Sequence, residues 1–186
     1  MAIDGLEADQ WYAPTLEYPR FSVQPVDIDF LRSLRPALDD ARSGSAAFAE
    51  RACDELEDVP WLLETSGHWI FNAVGRAVID AVAYPGEVLW LPLKLTTPSG
   101  VVDDFSILAA GLERGDFLSE EHTTRSNLGI PIRWVLDREK LGDRQVLAVP
   151  GFAANNLVMR GSVIRALIDA GARGVVLEPA RVVPRQ

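Results

Sequence analysis

Residues 72–95 read NAVGRAVIDAVAYPGEVLWLPLKL, and their pattern returns at residues 160–182 as RGSVIRALIDAGARGVVLEPARV. With Pro92 set against Pro179, Val88-Leu89-Trp90-Leu91 stands opposite Val175-Val176-Leu177-Glu178, and Lys94-Leu95 opposite Arg181-Val182. A two-residue slip in the turn brings Ile79-Asp80-Ala81 opposite Ile168-Asp169-Ala170. Each stretch reads as a helix, a glycine-containing turn and an apolar strand that carries a proline. Two copies are too few for a solenoid, whose continuous core needs at least three units. They point instead to one domain built around a duplicated helix–turn–strand unit.

In the first copy Val74, Ala77, Val78, Ala81 and Val82 recur at helical spacing and predict one apolar stripe. In the second, Val163, Ile164, Leu167 and Ile168 repeat it, with Arg165 and Asp169 turned to water and Ser162 as N-cap. Pro85-Gly86 and the glycines at 171 and 174 are stop signals. The runs 88–91 and 175–177 are short and continuously apolar, the pattern of strands covered on both faces. A proline cannot donate to a ladder, so pairing should stop or bulge at Pro92 and Pro179.

Outward from these copies, 186 residues suit a single domain spanning 1–186, with room for its own core. The expected class is α+β: one mixed sheet of about five to seven short strands, the repeat helices packed on it, and an N-terminal helical section. Residues 1–64 form an acidic, mainly helical section, and residues 65–186 an α+β section holding the two copies. The charge divides at the same boundary. Residues 1–64 carry 14 Asp and Glu against 5 Arg, so the whole net charge of −9 lies there. Such a chain repels phosphate backbones, which excludes nucleic acid as a partner. The acidic face either serves solubility or steers a basic protein partner. The opening MAIDGLEADQ has no apolar core of a leader, no run reaches the ~18 apolar residues of a membrane span, and Cys53 stands alone. These features point away from a membrane and toward a reducing, cytoplasmic setting.

Between the landmarks, Trp11–Ala13 is expected as an edge strand of an extended arm and residues 21–25 as a second short strand. Phe30, Leu31, Leu34 and Leu38 give a helix capped by Asp29, which Pro36 bends or restarts. Residues 46–56 read as another helix with Phe48, Ala52, Cys53 and Leu56 on one side. Strands are expected at 105–109, 132–136 and 145–149, the last two joined by the charged hairpin-like connection DREKLGDR.

The search for chemistry finds little. Cys53 lies on an apolar stripe without a nucleophile motif, and His68 sits in a Gly-His-Trp turn. His122 follows Glu120-Glu121, but no second His or Cys stands at zinc-ligand spacing. Asp103-Asp104 and Glu120-Glu121 are adjacent pairs whose side chains would diverge on a strand, and no phosphate loop is present. No cofactor, metal or catalytic residue is assigned. Asp54, Glu55, Glu57 and Asp58, however, crowd the expected C-terminus of a helix, where they oppose its dipole. Trp61 follows them as a candidate anchor for a partner protein.

The order of these features carries a resemblance. Pro60-Trp61-Leu62 leads into the first copy, the middle strand around 105–109 and Val135-Leu136-Asp137 follow, and the chain closes on A-G-x-x-G-V-x-L-E-P at 170–179. This resembles immunity protein family eleven of bacterial polymorphic toxin systems over residues 58–181, about two-thirds of the chain. The resemblance implies a non-enzymatic cytosolic protein that binds and neutralises a cognate toxin, and brings no catalytic residues with it. The acidic section then suggests a basic toxin, met through Asp54, Glu55, Glu57, Asp58 and Trp61. Two alternatives stand beside this reading. One is a self-associating structural or adaptor protein, a homodimer formed by an exposed repeat strand pairing across a two-fold. The other is an enzyme using carboxylates around residues 116–122.

Overall fold

The computed structural model describes residues 5–16, 28–52, 61–63, 69–83, 86, 88–110, 117–149 and 156–183. In chain order these form β1 (Trp11–Leu16), α1 (Ile28–Arg42), β2 (Ala49–Ala52), β3 (Trp61–Leu63), β4 (Trp69–Phe71), α2 (Ala73–Asp80), β5 (Val88–Thr97) and β6 (Gly100–Ala110). There follow β7 (Thr124–Arg125), β8 (Pro131–Arg133), β9 (Leu136–Asp137), α3 (Arg138–Leu141), β10 (Val146–Val149), β11 (Asn156–Arg160), α4 (Gly161–Asp169), β12 (Val175–Pro179) and β13 (Val182–Val183). The fold is α+β. The strands do not share one mixed sheet as expected, but divide mainly between two, ordered β2-β5-β6-β4-β3 and β10-β11-β1-β12.

The two related stretches fall in different sheets and have the same topology. In the five-stranded sheet β4 and β5, joined through α2, both run antiparallel to β6, which lies between them. In the four-stranded sheet β11 and β12, joined through α4, both run antiparallel to β1. Each is a split βαβ arrangement. The strand inserted into the second comes from the opposite end of the chain: Tyr12 pairs with Met159 on one side and Pro179 on the other. The expected edge strand at Trp11–Ala13 is therefore a central one. Its neighbours are supplied by residues far away in sequence, which no local pattern reveals.

Side-chain alternation sends the two faces of each sheet to different cores. Trp69, Phe71 and Leu108 from one sheet meet Tyr12, Leu157 and Met159 from the other, with Ile79 of α2 and Val163, Ile164 and Leu167 of α4 in the same cluster. On the opposite face of the five-stranded sheet, Leu91, Leu93, Leu95, Phe105 and Ile107 pack with Leu34 of α1. On the opposite face of the four-stranded sheet, Trp11, Leu147, Val149 and Val158 pack with Phe117, Leu118 and Leu136.

The stripe expected on α4 is the one buried, with Ile168 at its margin. The stripe on α2 is rotated: Gly75 and Ile79 are buried, Val78, Val82 and Ala83 flank them, and Val74 is 53% exposed. Val78 and Val82 belong to both phases, and burial of the larger Ile79 selects between them. Asn72 starts α2, its buried Oδ1 accepting from Gly75 N at 2.9 Å. Asn72→Ala should lower stability by about 1 kcal/mol in urea denaturation, with Asn72→Ser close to wild type. Ser162 is not a cap, for α4 begins at Gly161 after Arg160. Its first amides are met by backbone instead: Gly161 N donates to Gln10 O at 2.9 Å and Ser162 N to Ala8 O at 3.0 Å.

Other expectations change for local reasons. Pro36 neither ends nor restarts α1, which is continuous from Ile28 to Arg42. Within the residues expected as a second N-terminal helix lies β2, parallel to β5 with Ala49 opposite Leu93, so residues 49–52 are strand rather than helix. β5 runs on through Pro92 to Thr97, and the register shifts between Leu93 and Leu95 instead. Neither repeat strand is covered on both faces: β5 alternates after Leu91, and β12 at its sheet edge leaves Val176 37% exposed. The segment DREKLGDR contains α3 and joins β9 and β10 of different sheets, so it is not a hairpin. The strand expected at residues 21–25 lies outside the described residues.

Candidate interaction surface

Asp54, Glu55, Glu57 and Asp58 lie outside the described residues, as do Cys53 and His68; of Trp61 the backbone is described, as the first residue of β3. The other sequence candidates do not converge. His122 Nδ1 is 3.0 Å from Ser119 Oγ, while Glu120 turns to Arg125, 3.3 Å away. Among the described residues no three His, Cys, Asp or Glu side chains gather as a metal site. Asp103 and Asp104 lie across the sheet from Glu50, with β5 between them.

β5 and β6 are the longest strands, 10 and 11 residues. Their length leaves part of one sheet face bare. Along β5, Leu91, Leu93 and Leu95 are at most 2% exposed on the face that α1 covers. On the other face Val88 and Trp90 pack against the core between the sheets, whereas Pro92 and Thr96 are exposed and Lys94 is half-buried. β2 continues this bare face at the sheet edge, with Glu50 opposite Lys94 and Ala52 opposite Thr96. On the far side Val101 stands opposite Thr96 and is 65% exposed. The register shift sets both Asp103 and Asp104 against Lys94, since Leu93 pairs with Phe105 and Leu95 with Val102. An extra residue on one strand of this kind is a β-bulge, and it crowds two carboxylates where a regular ladder would hold one.

The resulting surface sets Lys94 between Glu50 and the two aspartates, with exposed Phe48 before β2 and Val101 on β6. Phe48 is 51% exposed, and the Lys94 ammonium lies 4.1 Å from its ring centroid. The same ammonium is 4.0 Å from Glu50 Oε1, with both partners well solvated, so the ion pair adds little stability. It leaves Glu50, Asp103 and Asp104 in excess over one lysine. Phe48 and Ala52, expected on one side of a helix, precede and end β2 instead and are both exposed. The alternation Leu91-Pro92-Leu93-Lys94-Leu95-Thr96 already marks a half-solvated strand, but its hydrophobic start conceals the change.

Chemically, this surface presents two exposed apolar side chains and three carboxylates against one ammonium. That suits a protein surface carrying Lys and Arg, and opposes phosphate. Among the described residues no helix is long and apolar enough to cross a membrane. No protein-family model matches the chain, and no curated protein matches it.

Proposed function

We propose that the protein is a non-enzymatic inhibitor, an immunity protein that binds and neutralises a basic toxin acting in the cytosol. The observation that carries this reading is the placement of charge. The chain's entire excess of −9 belongs to residues 1–64, and Glu50 from that section stands with Asp103 and Asp104 beside exposed Phe48 and Val101. Apolar anchors beside an excess of charge of one sign give a complex both affinity and a fast, salt-dependent encounter. The cluster Asp54, Glu55, Glu57 and Asp58, with Trp61, belongs to the same acidic section and is proposed as a further toxin contact.

The reading is tested by retaining partners from a lysate of the native host on the tagged protein at low and high salt. A single stoichiometric protein with a toxic C-terminal domain, stripped more easily by salt, is the expected result. Recovery of the protein itself and nothing else would sink the inhibitor reading in favour of self-association. With the partner in hand, changing Glu50, Asp103 and Asp104 to their amides should slow association about tenfold at low ionic strength and flatten its salt dependence. Stopped-flow mixing reads both quantities, and unchanged rates would remove this face from the encounter.

A further inference from the structure

A second feature shares no residue with the acidic face. Where the segment before β1 crosses the start of α4, a cleft of about 530 Å3 opens, lined by Asp9, Trp11, Arg138, Leu141, Arg160 and Val182 among others. Trp11 is buried, 4% exposed, in the cluster that also holds Leu141. The Arg160 guanidinium is held from three directions. Nε donates to Arg144 O at 3.0 Å, Nη2 donates to Gly142 O at 3.1 Å, and the group lies 5.4 Å from the Trp11 ring centroid. Its side chain is only 21% exposed.

Nη1 is treated differently. Its nearest acid is Asp9, 3.9 Å away and beyond hydrogen-bond reach, on a side chain that is 99% exposed. Arg160 is thus fixed and largely dehydrated, with one nitrogen lacking a close acceptor among the described residues. Arg138, exposed on the same cleft, has no ion-pair partner among the described residues. Two guanidiniums offer the charge-assisted geometry that a carboxylate accepts. Half-buried Ala180 and Val182 line the same cleft and provide apolar surface for a carbon skeleton, with Trp11 and Leu141 only 4% and 3% exposed. Glu7 and Asp9 also line the cleft and balance the two guanidiniums; with Asp9 swung away, one net positive charge is left, which a single carboxylate matches and a polyphosphate does not.

We propose that this cleft binds a monocarboxylate bearing an apolar or aromatic group, its oxygens on Arg160 Nη1 and Arg138 and its skeleton against Ala180 and Val182. Binding displaces the distant Asp9 carboxylate from Arg160. A free organic acid and the C-terminal carboxylate of a peptide share this chemistry.

The test follows the indole N–H resonance of Trp11, assigned by its disappearance in Trp11→Phe, in the isotope-labelled full chain. N-acetyl-L-phenylalanine, its primary amide, and an N-acetylated tripeptide ending in phenylalanine are titrated to millimolar concentration. Saturable shifts with both acids and none with the amide are expected. Tighter binding of the tripeptide would mark a peptide terminus as the source, and tighter binding of the free amino-acid derivative a small acid. Arg138→Gln, an exposed change that spares the fold, should weaken either acid about tenfold. Absence of saturation with both acids, equal shifts from the amide, or unchanged affinity in Arg138→Gln would each overturn the proposal.

Discussion

Phe71→Ala is expected to cost about 3–5 kcal/mol of folding stability, the largest effect of any single truncation considered for this chain. Phe71 has no exposed surface, and its ring meets Trp90 edge-on at 5.5 Å with an interplanar angle of 80°. It belongs to the cluster that joins the inner faces of both sheets to α2 and α4. Each wall of that cluster is held by its own hydrogen-bonded ladder, so the hole left by the ring cannot close by a small backbone shift. The cavity cost then adds to the lost transfer energy. Urea denaturation should show a lower midpoint with an unchanged slope. The melting temperature should fall by roughly 6–20 °C in a chain of this size. Phe71→Leu fills most of the volume and should lose well under half as much. Val74→Ala is the informative control, because Val74 lies on the stripe that periodicity predicts but is exposed in the structure. It should change stability by less than about 0.5 kcal/mol. A cost approaching that of Ile79→Ala would show that α2 is rotated the other way.

Gly161→Ala is expected to destabilise by about 1–3 kcal/mol, although alanine is by itself the better helix former. Gly161 opens α4, and a Cβ there would overlap the carbonyl oxygen of Glu7 and sit 2.9 Å from its carbonyl carbon and 3.2 Å from Leu6 Cδ1. Two of these three atoms are backbone, so no rotamer change relieves the clash. The chain before β1 must lift away from the helix. Lifting it breaks the bonds from Gly161 N to Gln10 O and from Ser162 N to Ala8 O, which are what cap α4. It also disturbs the bond from Arg165 Nη2 to Leu6 O at 2.9 Å. Faster hydrogen exchange at the amides of residues 161 and 162 should accompany the loss of stability. Stability and exchange at wild-type levels would refute this close approach. The same change moves Asp9 and Trp11 relative to Arg160, so carboxylate binding in the cleft should weaken in parallel.

How much of this was legible in the sequence differed from element to element. On α4, Val163, Ile164, Leu167 and Ile168 are the large apolar residues, and only one helical phase buries the first three with Ile168 at its margin. On α2 small residues leave two phases open, and the choice depends on what Ile79 meets across the sheets. β2 has the sequence AERA, neutral between helix and strand; its conformation comes from pairing with residues 93–96 of β5. Of the proposed binding features, the amount and location of acidic charge were readable from composition. The face on which Glu50 meets Asp103 and Asp104 was not, because it depends on a parallel pairing and a bulge in a separate hairpin. The cleft was less visible still. Its parts come from residues 7–11, 138–142, 160 and 180–182, which share no motif.

The sequence by itself determined the α+β class, the position of both helix–turn–strand stretches and the acidic bias of the first third. These follow from local periodicity, turn residues and a count of charges. Tertiary structure alone decided that the stretches belong to two sheets, that the N-terminal strand is central to one of them, and which side chains face solvent together. The physical reason is that strand pairing is a contest among distant segments for the same backbone hydrogen bonds. Its outcome depends on the combined burial of every competitor, and a local window holds only one of them.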